Sequence, residues 1–333
     1  SMRPNVFVAN GCSPVAGFAA GETREVSVTV LPITGSGMCG DTVVSPDEQC
    51  EPPGTATCGP TCRTLPFALN TVPAGRQEFV ALASRAGRRM LATFDSDGRD
   101  LALRLLDADG RSITTPVLLG SERTVDVLLS DQGFPPLPGA QITGAPAVAP
   151  NGRVGFALVD YVTPGSNLDV RMFFMDENRI LTTTNVAVTT VTTGIQDDPS
   201  VAFAGDGSLM VAFRDDQSAT GLSARFFAAA ATGPSGAGAI AVGSGTGGSA
   251  PSVAGTDTGF VVAYASAGDV FFQRFTASGT PSDAMGRNVL TTATGTQDQP
   301  AVAALGSSTF MVAWRDTEGD GAGTAIRAQA FNA

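Results

Sequence analysis

Aspartates that close short apolar segments are the first residues whose types and spacing suggest chemistry. They are Asp95, Asp160, Asp215 and Asp316, each at the end of a run such as MVAFRD or MVAWRD. If these runs are equivalent strands of a repeat, the carboxylates gather near one rim, where they would bind a cation or a polar ligand. Carboxylates at such positions also cap turns, and that structural role is the alternative. Tyr161, next to Asp160, is the aromatic candidate for ligand contact.

A second acidic pattern follows the last of these runs. Asp316, Glu318 and Asp320 alternate with threonine and glycine in the stretch DTEGDG. Alternating oxygen ligands and glycines resemble a calcium loop, although the EF-hand spacing is absent. The sequence therefore gives calcium as the only candidate cofactor. An ordinary solvated surface loop is the alternative.

The composition restricts the available chemistry. The 333 residues include no histidine, and all 20 basic residues are arginines. Nucleophile–histidine pairs, histidine-ligated zinc and lysine Schiff bases are therefore excluded. A formal net charge of −11 without a basic stripe argues against a nucleic-acid partner. No apolar run approaches the roughly 18–20 residues of a membrane span. We expect neither catalytic activity nor membrane insertion.

Four of the five cysteines are clustered. They are Cys39, Cys50, Cys58 and Cys62, separated by ten, seven and three residues. A segment this short builds no apolar core, so two disulfides are the usual means of stabilisation and indicate an oxidising compartment. The spacing does not select the pairing. A zinc site is the alternative, but the C-x2-C pairs typical of such sites are absent. Cys12 is unpaired or has lost an upstream partner.

The stretch CGDTVVSPDEQC, followed by C-x3-C, resembles the short Cys-rich repeat of secreted and surface proteins of myxobacteria. The resemblance implies an extracellular or cell-surface location and says little about function. We therefore expect a disulfide module at 37–64. Residues 1–36 contain an alternating strand around Val28, which indicates the last strand of a preceding β domain. No signal peptide is visible, and we expect the native start to lie upstream of Ser1.

The rest of the chain, 65–333, repeats one unit five times. Each unit has an apolar run with an anchor residue, and the anchors recur at intervals of 50 to 65 residues: Phe94, Val159, Phe213, Tyr264 and Trp314. A Pro-x-Val-Ala segment precedes four anchors, beginning at Pro146, Pro199, Pro251 and Pro300. Four short antiparallel strands per unit are typical of a β-propeller blade. The sequence predicts an all-β, five-bladed β-propeller preceded by a small disulfide-rich module.

The ends of the repeat region predict how the ring closes. The last unit stops after its third strand, whereas PFALNTVPAGRQEF at 66–79 aligns with the end of the preceding unit at 286–300. Residues 67–72 therefore read as the missing fourth strand. This N-terminal strand would complete the last blade, a velcro closure that leaves no open sheet edge.

The C-terminal pattern QDQPAVA…FMVAWRD…IRAQAF also resembles extracellular repeats of secreted and adhesin-like bacterial proteins. The resemblance spans 65–333 and implies a surface or secreted location with a binding or scaffolding role. It supplies no catalytic motif. We expect the repeated Gln-Asp-x-Pro to shape the crossover between blades, with proline starting a strand where no ladder donor is needed.

These observations favour a secreted or cell-surface, non-catalytic binding or adhesion module with a glycan or protein ligand. A carbohydrate-active enzyme of glycosidase or sialidase type is one alternative, which needs paired carboxylates or a tyrosine with an arginine cluster. A structural spacer is the other. A repeated polar column is expected to form hydrogen bonds within the fold: Arg104, Arg225, Gln273 and Gln329. Trp314 and Tyr264 are anchors and should be buried, which weighs against sugar stacking.

Overall fold

The computed structural model describes the repeat region of the chain. It covers Leu69 and residues 77–333, without 86–89, 97–99, 107–122, 136, 138–139, 164–166, 177–180, 190, 192, 290–294 and 319–322. The predicted segments at 1–36 and 37–64 and all five cysteines lie outside the described residues. Leu69–Ala333 forms one structural unit, which falls within the predicted propeller domain.

Five antiparallel sheets follow one another along this unit, each built from consecutive strands, and we call them blades 1 to 5. Blade 1 contains β1 (Gln77–Ala83), β2 (Met90–Ser96), β3 (Asp100–Leu106) and β4 (Arg123–Thr124). Blade 2 contains β5 (Ala140–Val148), β6 (Val154–Thr163), β7 (Asn167–Met175) and β8 (Leu181–Ala187). Blade 3 contains β9 (Gln196–Phe203), β10 (Leu209–Asp215), β11 (Leu222–Phe227) and β12 (Ser235–Ala241). Blade 4 contains β13 (Ser249–Gly255), β14 (Gly259–Ser266), β15 (Asp269–Thr276) and β16 (Arg287–Asn288). Blade 5 contains β17 (Gln297–Ala304), β18 (Thr309–Asp316) and β19 (Ala325–Asn332).

A short helix, α1 (Val125–Asp131), directly follows the last strand of blade 1. Its N-cap is Thr124, whose hydroxyl accepts a hydrogen bond from Val127 N at 3.4 Å. Leu128 and Leu129 bury its apolar side in the core between blades 1 and 2. Within the described ranges, no helix has the length and apolar composition needed to cross a membrane.

The first strands of successive blades lie side by side. The Ser200 hydroxyl in blade 3 accepts a hydrogen bond from Val253 N in blade 4 at 2.9 Å. The Ser252 hydroxyl accepts one from Val302 N in blade 5 at 3.1 Å. Contacts of β5 with β1 and with β9 continue this order through blades 1 to 3. The first strands therefore border a central channel, and the fold is the predicted five-bladed β-propeller.

Apolar side chains fill the space between blades, because the residues of a strand alternate between the two faces of its sheet. Between blades 2 and 3, Phe174 packs edge-on against Phe227 with ring centroids 5.6 Å apart. Between blades 4 and 5, Phe272 and Phe310 make the same kind of contact at 5.1 Å. Burial of one phenylalanine side chain stabilises a fold by about 1.5–3 kcal/mol, so these clusters hold each blade to the next.

A β-bulge interrupts the first strand of every blade near its start, where the strand carries one residue more than its partner. In blades 2 to 5 the extra residue has a left-handed backbone, with φ of 48–52°: Thr143, Asp198, Ala250 and Gln299. This conformation costs an ordinary L-residue about 1–2 kcal/mol. Its recurrence in four blades shows that the bulge belongs to the repeat.

The repeated proline lies inside the strand rather than at its start. Pro199 directly follows the left-handed residue of β9, where the bulge leaves no ladder donor to satisfy. In blade 2 this position belongs to Gly144, not to Pro146 as the sequence alignment assumed. A Cβ on Gly144 would lie 2.7 Å from Leu101 Cδ1, so any other residue there would force the Leu101 side chain to shift.

The anchor of blade 2 is also shifted by one residue from its predicted position. Asp160 pairs with Gln141, which is the pairing that Asp215 makes with the glutamine of blade 3. Counting back two residues from the aspartate puts Leu158, not Val159, in the anchor column. Both residues are buried and apolar, so the apolar pattern of the sequence does not show which of them is the anchor.

Two apolar faces remain accessible at the place where blade 5 would meet blade 1. On the face of blade 5 that points away from blade 4, Met311 is 37% and Ile326 is 78% exposed. On β1, Leu82 is 59% exposed, whereas its counterpart in blade 3, Val201, is 8% exposed. These are stacking faces of the same kind as those that other blades bury.

The predicted closing strand, 67–72, lies outside the described residues except for Leu69. The carbonyl of Leu69 accepts a hydrogen bond from Arg104 Nη1 of blade 1 at 2.7 Å. In blade 4, the corresponding Gln273 Oε1 accepts one from Gly243 N, just after the last strand of blade 3. Leu69 thus occupies a position expected of the neighbouring blade, and the strand closure itself stays a prediction.

Candidate ligand-binding site

Three of the four predicted aspartates occupy the same position in their blades. Each pairs with a buried glutamine of the first strand: Asp160 with Gln141, Asp215 with Gln196, and Asp316 with Gln297. Asp215 and Asp316 are the last residues of their strands, whereas β6 continues past Asp160 to Thr163. We call this end of the blades, with the loops that follow the aspartates, the acidic rim. Among the described residues, no three acidic side chains lie close enough together to hold a metal ion. Asp95, Asp160, Asp215 and Asp316 thus form no such group, and binding of a cation or a polar ligand at these residues stays a prediction.

Asp215 is engaged in hydrogen bonds within its own blade. Its Oδ1 accepts from Gln196 Nε2 at 3.3 Å and from Gln217 N at 3.1 Å. Its Oδ2 accepts from the Ser223 hydroxyl at 2.7 Å. The bond from Gln217 N is the turn-capping role that the sequence left as the alternative.

Asp316 plays the same structural part in blade 5. Its Oδ1 accepts a hydrogen bond from Glu318 N at 3.0 Å, and its Oδ2 lies 2.8 Å from Arg327 Nε. Glu318 lies in the loop that follows the strand. Asp320 lies outside the described residues, so the calcium loop stays a prediction.

Asp95 is offset by one residue from the position that the other three aspartates share. It pairs with Glu78, while Ser96 takes the position opposite Gln77. Its Oδ1 accepts a hydrogen bond from Thr143 N of blade 2 at 2.8 Å. Burial raises the pKa of Asp95, and this hydrogen bond opposes the rise. Asp95 therefore joins two blades and does not belong to the acidic rim.

Asp160 shares the rim pairing but has different surroundings. Asp169 lies directly opposite it on β7, and the two residues are 2% and 4% exposed. Arg171 Nη2 lies 3.2 Å from Asp169 Oδ2, and its Nε lies 3.7 Å from Asp160 Oδ2. Burial raises the pKa of Asp160, Arg171 lowers it, and Asp169 raises it again. Two buried carboxylates thus share one guanidinium.

Aromatic side chains contribute little accessible surface here. Trp314 and Tyr264 are buried in the anchor column, as expected, and burial raises the pKa of Tyr264 to about 12. Tyr161 lies at the acidic rim beside Asp160 and is half-buried. A ligand at this end of the molecule would therefore rely on polar contacts more than on stacking.

The side chains on the bulges are candidate site residues that the sequence did not predict. We call the four left-handed residues the channel mouth, because they lie on the strands that border the channel: Thr143, Asp198, Ala250 and Gln299. Asp198 and Gln299 are exposed, and the other two are half-buried. The signal was present in the repeated Gln-Asp-x-Pro, whose variable residue stands between a buried glutamine and a buried proline.

Asp198 has the most distinctive chemistry of the channel mouth. Its carboxylate is exposed, yet desolvation by the surrounding blades raises its pKa, and the neighbouring Asp197 raises it further. Exposure and desolvation coexist where a side chain lies in a concave opening that limits its hydration. Arg214 lowers the pKa of Asp198 from a distance.

The two arginines nearest the channel mouth are already paired. Arg214 Nε donates to Asp197 Oδ1 at 2.6 Å, and its Nη2 contacts Oδ2 of the same carboxylate. Arg315 and Asp298 repeat this bidentate pair in blade 5, also at 2.6 Å. The paired carboxylate raises the pKa of each arginine. Three further carboxylates lie near the start of β9 and the end of β10 and add negative charge at this end of blade 3: Asp198, Asp215 and Asp216.

Comparison with solved structures identifies the same architecture. The chain is similar to a protein of unknown function from Dyadobacter fermentans, with a TM-score of 0.54 and 13% identity over 80% of this chain and 79% of that chain. It is less similar to an alpha-L-arabinanase from Penicillium chrysogenum, complexed with arabinobiose, with a TM-score of 0.44 and 12% identity over 73% and 79% of the two chains. The first likeness shows the propeller fold. No protein-family profile matches the sequence, and no curated protein matches it.

Proposed function

We propose that this chain is a non-catalytic binding module of a secreted or cell-surface protein, and that it takes a glycan at the channel mouth. The observation that carries the proposal is the recurrence of a side-chain-bearing, left-handed residue at one bulge position in four blades. A bulge re-aims a side chain without altering the ladder on either side. Such a position serves recognition better than packing.

The chemistry of the channel mouth suits a hydroxyl-rich ligand. Asp198 offers two acceptor oxygens, Gln299 offers an acceptor and two donors, and Thr143 adds a hydroxyl. Sugar hydroxyls both donate and accept hydrogen bonds, so several such side chains around one opening fix an orientation through many modest contacts.

The charge at the acidic rim narrows the class of glycan. Arg214 and Arg315 are held by Asp197 and Asp298, so neither guanidinium is available to neutralise an acidic sugar. Asp198 would repel a carboxylate or sulfate group. The module should therefore prefer neutral or amine-bearing glycans to anionic ones.

The engagement of the rim aspartates supports a non-catalytic role. Asp215 holds Gln196, Gln217 and Ser223, and Asp316 holds Glu318 and Arg327. Groups that fix strand ends and turns are poorly placed to transfer protons to a substrate.

A glycan array with neutral, amine-bearing and anionic members tests the proposal directly. We expect retention of neutral or amine-bearing members and at least a tenfold loss of affinity in Asp198→Asn combined with Gln299→Ala. Asn keeps the left-handed backbone, and Asp257→Asn, an exposed loop substitution, is the matched control. Failure to bind any member, or binding that the double variant retains, would contradict the proposal and favour a structural spacer.

The extracellular location is a separate part of this proposal. It is supported by the cysteine spacing and by the resemblance to secreted repeats. Mass spectrometry of the non-reduced protein purified from its native host should find Cys39, Cys50, Cys58 and Cys62 in disulfides. Four free thiols in that sample would argue against an oxidising compartment.

One observation favours a carbohydrate-active enzyme as the second candidate. Asp160 and Asp169 are buried opposite each other beside Arg171, and glycosidases act through two carboxylates in different environments. Incubation with a panel of polysaccharides, followed by a reducing-end assay, tests this activity. Product formation that Asp160→Asn and Asp169→Asn each abolish would establish the enzyme; absence of product across the panel would remove this candidate.

A further inference from the structure

Arg225 is a buried cation for which the described residues provide no partner. It lies on β11 opposite Val211, and it is 3% exposed. Its Nε and Nη1 form no hydrogen bond. Desolvation lowers the pKa of Arg225, and no carboxylate opposes the effect. Arginine remains charged in proteins, so an uncompensated buried guanidinium is strongly unfavourable.

The same position in other blades is satisfied by backbone atoms. Arg104 of blade 1 donates to the Leu69 carbonyl at 2.7 Å. Gln273 of blade 4 accepts from Gly243 N at 2.7 Å and donates to the Asp283 carbonyl at 3.0 Å. Two members of this column, Arg104 and Gln273, therefore bond to backbone, as the sequence predicted, whereas Arg225 is the exception, buried without such a bond, and Gln329 is exposed to solvent.

The exception follows from what blade 2 presents to Arg225. Val242 of blade 3 and Val188 of blade 2 each donate their N–H to a carbonyl of the third strand, so the residues that follow them correspond. Thr189 in blade 2 thus stands where Gly243 stands in blade 3. Gln273 accepts the Gly243 N–H, but arginine has donors only. From this correspondence we expect the Thr189 N–H to face Arg225, which would bring a donor side chain against a donor backbone group.

We propose that a small inorganic anion, chloride, binds between blades 2 and 3 at Arg225 and Thr189. One anion accepts hydrogen bonds from the guanidinium and from the N–H and hydroxyl of Thr189, and it neutralises the buried charge. Thr189 is itself buried. The surrounding core includes Met172 and Phe174, and a compact monovalent anion loses less hydration on entering such a core than a multiply charged one.

Thermal unfolding in chloride and in gluconate, at equal ionic strength, tests the site. Gluconate is too large to enter a closed junction, and constant ionic strength removes general screening. We expect the melting temperature to rise with chloride and to saturate, because an anion bound only by the folded state stabilises it by mass action. A crystal soaked in bromide should show an anomalous peak beside Arg225.

Variants separate this site from other effects of salt. Arg225→Gln should fold, because glutamine occupies this column in blades 4 and 5, and it should lose the chloride response. Arg225→Met should also lose it and should melt higher than the unaltered protein in gluconate, since no charge remains buried. Arg153→Gln is the matched control, because Arg153 lies over the Phe174 ring in the same junction. A chloride response that Arg225→Gln retains, or bromide bound elsewhere and not beside Arg225, would overturn the proposal.

Discussion

Blades 2 and 3 place an aspartate at the same position and give it opposite surroundings. Asp215 accepts hydrogen bonds from three donors of its own blade. Asp160 faces a second carboxylate, Asp169, and shares Arg171 with it. In blade 3 the backbone opposite Asp215 belongs to Gly221, which brings no charge. The carboxylate of Asp169, where blade 3 has Gly221, is one of the differences that leave Asp160 crowded and Asp215 fully hydrogen-bonded.

The difference shows what a repeat position determines. The backbone pairing and the buried glutamine are common to both blades. The third strand decides the rest, because Ser223 donates to its aspartate at 2.7 Å, whereas the corresponding Arg171 lies nearer to Asp169 than to Asp160. The position of an aspartate within the repeat therefore predicts where it lies in the blade, but not which charges and hydrogen-bond donors surround it.

The largest expected effect comes from removing the satisfied carboxylate. Asp215→Ala leaves the Ser223 hydroxyl without an acceptor and removes one of the two acceptors of the Gln196 amide, which keeps the Thr193 carbonyl. It also removes the acceptor of Gln217 N, and each such loss costs about 1–3 kcal/mol where the donor stays buried. We expect the free energy of unfolding to fall by about 3 kcal/mol in urea titrations. Asp257→Ala, at an exposed turn, is the control and should change it little. Equal stability of Asp215→Ala and the unaltered protein would show that Asp215 does not hold the strand ends.

A second comparison concerns the residue after the bulge. Gly144→Ala in blade 2 places a Cβ 2.7 Å from Leu101 Cδ1, and such overpacking costs about 1–3 kcal/mol. Pro199→Ala at the corresponding position of blade 3 introduces no clash and should cost less. Thermal unfolding of the two variants measures the difference. A smaller loss in Gly144→Ala than in Pro199→Ala would contradict the blade 2 register.

Neutralising the crowded carboxylate should have the opposite sign. Burial raises the pKa of Asp160 in the folded state above its unfolded value. The folded state therefore binds more protons than the unfolded state between these two pKa values, and stability falls as pH rises through that window. Asp160→Asn should melt a few degrees higher than the unaltered protein at pH 7, and this gain should vanish below the unfolded pKa of about 3.9.

Asp169→Asn is the matched variant for this prediction. It removes the same repulsion from the other side of the ladder, so it should also flatten the pH dependence of the melting temperature. Asp215→Asn should instead destabilise the protein at pH 7, because an amide has one acceptor oxygen where the carboxylate has two. A lower melting temperature of Asp160→Asn at pH 7 would contradict this prediction, because it would show that the ionised Asp160 side chain stabilises the folded protein.

The smallest effect is expected at the left-handed bulge residues. Thr143 of blade 2 is β-branched, and Asp198 of blade 3 belongs to a residue type that tolerates φ near 52°. Thr143→Gly should therefore stabilise the protein by about 1 kcal/mol, and Asp198→Gly should change stability by less than about 0.5 kcal/mol. Urea unfolding of both variants measures the difference. Destabilisation by Thr143→Gly would mean that the Thr143 side chain contributes packing.

Much of the fold was accessible from the sequence. Alternating apolar residues and turn signals predicted strands at all five anchors, and the near-regular spacing predicted a five-bladed propeller. The alignment failed at Val159 and Pro146, because a strand buried on both faces has no alternation from which register can be read. A β-bulge also adds one residue to a strand, and no residue type in the sequence indicates where that residue lies.

The chemistry of the site was less accessible. The aspartates were found, but their engagement by Gln196 or Arg327 depends on strands that are distant in sequence. Asp198 lies within the repeated Gln-Asp-x-Pro motif, but its exposure depends on the bulge, which the motif alone does not predict. Arg225 lacks a hydrogen-bond partner because of what the neighbouring blade places beside it. The sequence around Arg225 does not indicate this.

The bulge also bears on how such a protein changes over generations. Threonine, aspartate, alanine and glutamine occupy one backbone position in four blades without altering the ladder around them. Duplication of a blade therefore copies a position whose identity the fold does not dictate. Selection can revise what the opening recognises one blade at a time while the cores between the blades stay intact.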